Sequence, residues 1–378
     1  MKKYAVLQKD AIGGYLLLLC AVASLVLANV GFGERYLDFW NRSLLGHPVS
    51  HWIDDGLMAV FFLFVGLEIK REMLVGTLST WRRSVLPLAA ALGGMLLPAT
   101  IYLLVNYGKP SSMGFGIPMS TDIAFVVGIL ALLGSRVPAS LKTFLLTLAV
   151  VDDIGAVLVI AIFYTSGIDV VFIVAALLLF VVMLWLNKSR HVDALWLYLA
   201  LGIVLWALIM ASGVHATIAG VLTAVAMPYR DGGEKRPAVR AERWLHLPVY
   251  WVILPLFVLS NTAIVLKGPM LAELFRPHAL GIMAGLLIGK PLGIFVMSWL
   301  VITLGLAEMP PEMNTRHLLA AGCLGGIGFT MSIFIAALSF DSPMMVDSAK
   351  IAILLSSAAA AVIGMVLLAR GGKSADRA

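Results

Sequence analysis

Charge is what this sequence has least of. Asp, Glu, Lys and Arg make up 13% of its 378 residues and hydrophobic residues 61%, whereas charged residues alone are roughly a quarter of a soluble globular chain. A water-soluble domain is excluded, and a bilayer is the medium in which such a chain is stable. Cysteine is nearly absent. Cys20 and Cys323 each sit within an apolar run, which excludes a disulfide framework and a zinc spacing. Long polar stretches are missing too: the only sizeable linkers are Gly31 to Trp52 and the basic segment Pro228 to Trp244. Neither is large enough to be a catalytic domain. The net charge of +6 is scattered singly or in pairs between apolar runs, with no aromatic and basic platform, so it points to membrane topology and not to nucleic acid.

What the chain has instead is apolar runs. About twelve are long enough to cross a bilayer as helices, at roughly 17 to 25 residues each. They lie near 11–30, 55–75, 84–105, 114–133, 139–165, 168–187, 194–212, 213–227, 247–266, 280–304, 316–339 and 346–370. The first follows Lys2 and Lys3 and continues past Ala21-Val22-Ala23 to Val30, so it reads as a span and not as a cleaved signal peptide. An even number of spans puts both termini on one side. With that side cytoplasmic, 20 of the 27 Lys and Arg residues fall inside, six fall outside and one, Lys290, falls within a span. This asymmetry is the positive-inside pattern, and the fold class it predicts is an all-α polytopic membrane protein.

Charge within the spans is therefore the functional question. Each Asp or Lys at the centre of a span costs about 2.5 to 3.5 kcal/mol on insertion scales, and such residues usually face a cavity or a partner. Four stand out: Asp122, Asp152, Asp153 and Lys290. A structural ion pair tying two helices together accounts for one acid and the one base, and leaves two carboxylates without a counter-charge. Neighbouring helix positions point about 100° apart. Asp152 and Asp153 therefore take different roles, one facing Lys290 and the other an open site. Burial favours the neutral form of a carboxyl group, and a cation that prefers hard oxygen ligands competes with its proton. Binding one releases the other, which is the chemistry of exchange.

Two stretches are built to break a helix. Gly114 to Leu130 carries Pro118 and then Ser120, Thr121 and Asp122 in mid-span, and Ala320 to Phe334 carries Gly322, Gly325, Gly326 and Gly328. Interrupted segments at corresponding places in two halves point to a transporter site, because half-helices aim their dipole ends and free carbonyls at the midplane. Asp122 would offset N-terminal dipole ends there, and Lys290 C-terminal ones.

The combination of FFLFVGLEIKRE, STDIAF, LTLAVVDDIGAV, GVHATIAG, GKPLGIF and GGIGFTMSIF closely resembles the bacterial NhaA sodium/proton antiporters, over nearly the whole chain. The resemblance implies one transporter domain over 1–378. Spans 3 to 5 and 10 to 12 (84–165 and 280–370) would form an inverted-repeat core in which spans 4 and 11 are unwound and cross. Residues 11–75 and 168–266 would form an interface bundle, with 228–246 as a cytoplasmic linker. It implies that Asp153 is the principal cation and proton carboxylate, with Asp122 and Thr121 beside it as Na+ ligands, and that Asp152 partners Lys290. Glu68 and Glu242 correspond to cytoplasmic pH-sensing carboxylates and His215 to a histidine linked to pH response. On the residues alone, Glu68, Lys70, Arg71 and Glu72 also read as a solvated charge run, and His215 as a packing residue. The implied activity is not enzymatic. It is electrogenic, pH-regulated export of Na+ or Li+ against H+ in a bacterial inner membrane, with both termini cytoplasmic, no cofactor, lipid around it and a homodimeric assembly. Gly31 to Trp52 is shorter than the corresponding segment of many members and shows no alternating strand pattern.

Three other classes fit less well. An intramembrane aspartyl protease also needs two membrane carboxylates, but it resembles a Tyr-Asp and Gly-x-Gly-Asp pattern that the sequence lacks. A passive cation channel needs a filter of acids or carbonyls from several chains. A sodium-coupled symporter of an organic solute is the stronger rival, since broken helices and buried acids serve it as well.

Overall fold

In hydrocarbon no water satisfies backbone groups, so an apolar chain has to close its hydrogen bonds within helices. The structure, a computed structural model, describes residues 2–165, 167–190, 193–229, 236–266 and 268–371, and these are helical almost throughout. Arg230 and Lys235 of the basic linker, and Lys267, Lys373 and Arg377, lie outside the described residues. Two compact units emerge, one from 1–25, 80–156 and 264–378, the other from 26–79 and 157–263.

In the first unit the helices Trp81–Val105 and Lys290–Thr303 lie along each other. Glycine permits the approach, because a Cβ on Gly93 or on Gly293 would run into the other's carbonyl oxygen. Lys290 sits one turn from that contact. Pro291 has no N–H to give to the preceding turn, and Gly285–Gly289 winds as a π-helix just before the lysine. Both expected breaks are present. Pro110–Met119 is a 3-10 helix, Ser120 and Asp122 are extended, and an α-helix resumes over Ile123–Leu133. Pro118 disfavours helical backbone at the residue before it. Helices Thr315–Gly325 and Phe329–Ser339 are bent by 43° across the intervening glycines. The two breaks touch, since Asp122 N–H donates to the Ile327 carbonyl at 2.7 Å.

The second unit packs helix Met58–Leu74 against Ile218–Ala226. Leu67, Met183, Tyr198, Leu205, Ala219 and Met227 fill its interior.

Among the described residues, eight helices are long and apolar enough to cross a bilayer, or nine with the bent pair taken as one span. The difference from twelve lies in the second unit. The expected span near 213–227 is a helix of only 9 residues, Ile218–Ala226, which rises about 14 Å against a hydrocarbon core of roughly 30 Å. Gly213, at φ 79°, breaks the backbone before it. The segments near 55–75 and 194–212 are 17-residue helices, Met58–Leu74 and Leu195–Ala211, and a π-helical turn Trp52–Leu57 leads into the first. The segment Gly31 to Trp52 also corrects the sequence expectation, because Ser43–Leu44 pairs antiparallel with His47–Pro48. Leu45 (φ 52°) and Gly46 (φ 90°) form its turn, the positive-φ pair that matches strand twist in a two-residue hairpin. Two residues per strand are too few to show alternation.

Candidate functional site

Helix Ala139–Phe163 carries Asp152 and Asp153 into the interior of the first unit, where they are 0% and 2% exposed. Lys290, also 0% exposed, comes from the facing helix. Its Nζ lies 2.9 Å from Asp152 Oδ2 and donates to the Met119 carbonyl at 2.5 Å. That carbonyl ends the 3-10 helix, so the ammonium sits at the negative end of a helical segment. Thr121 Oγ1 donates to the same Asp152 oxygen at 2.5 Å, with the Gly325 carbonyl 3.0 Å away. Asp152 Oδ1 accepts no hydrogen bond among the described residues.

Asp122 holds the two helix beginnings. Its Oδ1 accepts from Phe125 N–H at 3.1 Å, capping helix Ile123–Leu133. Its Oδ2 accepts from Thr330 N–H at 3.0 Å and Thr330 Oγ1 at 2.6 Å, in the first turn of Phe329–Ser339. Gly328, which precedes that helix, offers no side-chain cap of its own. One carboxylate thus meets two positive dipole ends. Ser332 Oγ donates to the Ile117 carbonyl at 2.7 Å and lies 3.3 Å from Ser120 Oγ, a further tie between the breaks.

The residues of the first unit named from sequence form two clusters, with Asp153 beside them. Asp152, Lys290 and Thr121 form one cluster, with Thr121 bonded to Asp152. Asp122 follows Thr121 in the chain and forms the second with Thr330. Asp153, adjacent to Asp152, lies within electrostatic reach of Lys290. Thr330 went unnoticed in the sequence although GGIGFTMSIF contains it. The only signal was its place two residues after Gly328, where a broken helix restarts. Thr330→Val keeps the N–H and the shape but removes the hydroxyl donor. A hydrogen bond to a charged group contributes about 1.5 to 3 kcal/mol. Loss of that bond loosens the joint between the two breaks, and the expected result is a fall of several degrees in Tm in detergent, restored by Thr330→Ser. A wild-type Tm in the Val variant would show that the Thr330 hydroxyl does not hold the two breaks together.

The second unit gathers Glu68 and Glu242 around one guanidinium. Arg71 forms an ion pair with Glu242 and lies 3.6 Å from both Glu68 and Glu72. Burial, and then the Glu242 charge, push the Tyr229 hydroxyl up, so it stays neutral. Lys70 donates to the carbonyls of Ala224 and Val225 at 3.2 and 2.7 Å, and to that of Met227. It thereby caps the end of the nine-residue helix. His215 is not in this group. Its Nδ1 lies 3.8 Å from Asp55, which His51 also approaches at 3.3 Å. Asp55 precedes Glu68 by 13 residues, about 20 Å along the helix axis.

The profile of the family described as Na+/H+ antiporter 1 matches residues 4–368. A Na(+)/H(+) antiporter NhaA from Dechloromonas aromatica is 49% identical over 358 residues, 94% of this chain and 92% of that protein. Its counterpart from Cytophaga hutchinsonii is 46% identical over 362 residues, 96% and 93% of the two chains, and that from Vibrio cholerae is 46% identical over 365, 96% and 95%. Among solved structures, the sodium proton antiporter MjNhaP1 of Methanocaldococcus jannaschii superposes with a TM-score of 0.51 at 16% identity. The match covers 100% of this chain and 99% of that one, and it is a likeness of fold alone. A profile match over this length, with relatives of near 50% identity along the same residues, leaves one assignment: the chain belongs to the Na+/H+ antiporter 1 family.

Proposed function

We propose that this chain exports Na+, and Li+ in its place, in exchange for H+ by alternating access. The observation that carries the reading is the charge balance of the first unit, where three carboxylates, Asp122, Asp152 and Asp153, are buried and Lys290, the one fully buried base among the described residues, is paired with Asp152. Three buried carboxylates beside one ammonium carry an excess of negative charge that is costly in a span, and either a proton or a hard cation relieves that cost. Asp153 and Asp122, with the Thr121 hydroxyl, are the proposed Na+ and H+ ligands. Asp152 holds Lys290 beside them.

More protons enter than Na+ ions leave in this scheme, so transport moves net charge and responds to the membrane potential. Residues 84–165 and 280–370 serve as the moving core, with spans 4 and 11 crossing at their breaks. Residues 11–75 and 168–266 serve as the interface bundle, and a homodimer pairs through it. The chain crosses a bacterial inner membrane several times, with both termini and the 228–246 linker cytoplasmic. Glu68 and Glu242, joined through Arg71, tune the pH at which transport starts, and His215 acts separately through Asp55.

The test is fluorescence dequenching of a pH dye in everted vesicles after addition of NaCl, LiCl or KCl, across the neutral to alkaline range. Release of protons by Na+ and Li+ but not K+, with a rate that changes with pH, is the expected result. No proton release with any cation at any pH would overturn antiport, and Na+-dependent uptake of an organic solute would then put the symporter in its place.

A further inference from the structure

The first unit contains an apolar cavity of about 550 Å³ between helices Lys2–Asn29, Ile123–Leu133, Phe329–Ser339 and Pro343–Gly371. Leu18, Leu132 and Leu355 line it and are 51%, 58% and 52% exposed. Ser357, one of its few polar groups, is engaged: Phe329 N–H donates to its Oγ at 3.2 Å. Cavities of this size hold small ligands. The medium at the exposed rim of a bilayer span is acyl chain, and an apolar lining offers nothing to water or ions.

Phe125 and Phe329 make this cavity more than a groove facing lipid. Both line it, with ring centroids 4.5 Å apart. Phe125 N–H donates to Asp122 Oδ1, and Thr330, which follows Phe329, donates twice to Oδ2. The two rings therefore belong to the two helix starts that hold Asp122. Whatever fills the cavity fixes the spacing of those starts, and through them the donors around the carboxylate.

We propose that an acyl chain of a membrane phospholipid occupies this cavity and sets the Na+ affinity of the Asp122 site through Phe125 and Phe329. The occupancy stands on the cavity itself; its effect on affinity rests on the antiport reading.

The experiment reconstitutes the full chain in liposomes containing phosphatidylethanolamine with a diazirine on one acyl chain, photolyses, and maps adducts by mass spectrometry. Adducts at Leu18 and Leu355 are expected at about fivefold or more over those at Val171 and Leu178, which are exposed on helix Val170–Trp185. Ala358→Trp, filling the cavity from its lining, removes that excess. In the wild type, exchanging straight for methyl-branched acyl chains shifts the Na+ concentration for half-maximal proton release about threefold or more, and the Trp variant loses that dependence. Even labelling of the two regions, or a chain dependence that survives Ala358→Trp, overturns the proposal. So does labelling by a free diazirine fatty acid with none by the phospholipid, which assigns the cavity to a free acid. Failure of antiport as such leaves the labelling to decide on occupancy.

Discussion

Asp153→Asn, inserted at wild-type levels, is expected to leave a pH dye quenched when NaCl or LiCl is added to everted vesicles, while the wild type dequenches it. The amide has nearly the size of the carboxyl group and keeps one acceptor, so the packing of helix Ala139–Phe163 around this 2%-exposed position changes little. An amide is no harder to insert than the carboxyl group it replaces, and the amount of variant in the vesicles is matched to the wild type, so silence in the assay is not failed insertion. What is lost, in the proposed mechanism, is the charge for which Na+ and H+ compete. Even groups that only support a metal ligand change affinity or activity by about 10- to 100-fold when replaced, so loss of the proposed principal ligand should exceed the upper figure. Asp122→Asn fails for an added reason. An amide presents one oxygen, and Asp122 uses both, one towards Phe125 and one towards Thr330. Asp169→Asn is the control. Asp169 caps helix Val170–Trp185 by accepting from Val171 N–H at 2.9 Å, asparagine caps equally well, and activity should match the wild type. Proton release by Asp153→Asn at near wild-type rate would remove it from the proposed site.

Much of the first unit can be read from residue types alone, because the signals are local. A carboxylate in an apolar run has to be buried, so Asp122, Asp152, Asp153 and Lys290 declare themselves. Pro118 and the glycines at 325, 326 and 328 mark the helix breaks, since each removes a donor or a side chain that a continuous helix uses. What stays hidden is contact between distant parts of the chain. Thr330 and Asp122 are 208 residues apart, and threonine is ordinary in a membrane span. Lys290 bonds the carbonyl of Met119, and a backbone acceptor carries no side-chain signature. Likewise Thr121 reads as a neighbour of whichever aspartate faces it, and its hydrogen bond to Asp152 depends on the path of the extended residues 120–122. In the second unit the apolar run over 213–227 continues without a charge, so composition cannot show that the helix begins only at Ile218. The same locality separates the two candidate pH groups. Glu68 and Glu242 come together only through the fold, whereas His215 and Glu68 look equally plausible in sequence and lie near opposite ends of one helix.

The second large effect concerns the Lys290–Asp152 pair. Lys290→Met is expected to destabilise the purified protein by about 3 to 5 kcal/mol, because it leaves a fully buried carboxylate without its cation, along with a Met119 carbonyl without its donor. The loss reads as a fall of several degrees in Tm in detergent. Adding Asp152→Asn should recover most of it. The double variant leaves both positions of the pair neutral, and Thr121 Oγ1, now 2.5 Å from Asp152 Oδ2, can still donate to the amide oxygen. A buried pair often breaks even against neutral replacements of similar size, so the double variant should stand close to the wild type while the single variant does not. If the two changes merely add, the pair is not coupled and its geometry is incidental. Transport by the double variant then separates two roles that stability alone leaves together. Na+-driven proton release near the wild-type rate makes the lysine a structural counter-charge, whose work is to hold Asp152 in place beside the site. A stable double variant that releases no protons makes the ammonium part of the transport cycle, acting on Asp153 next to its own partner.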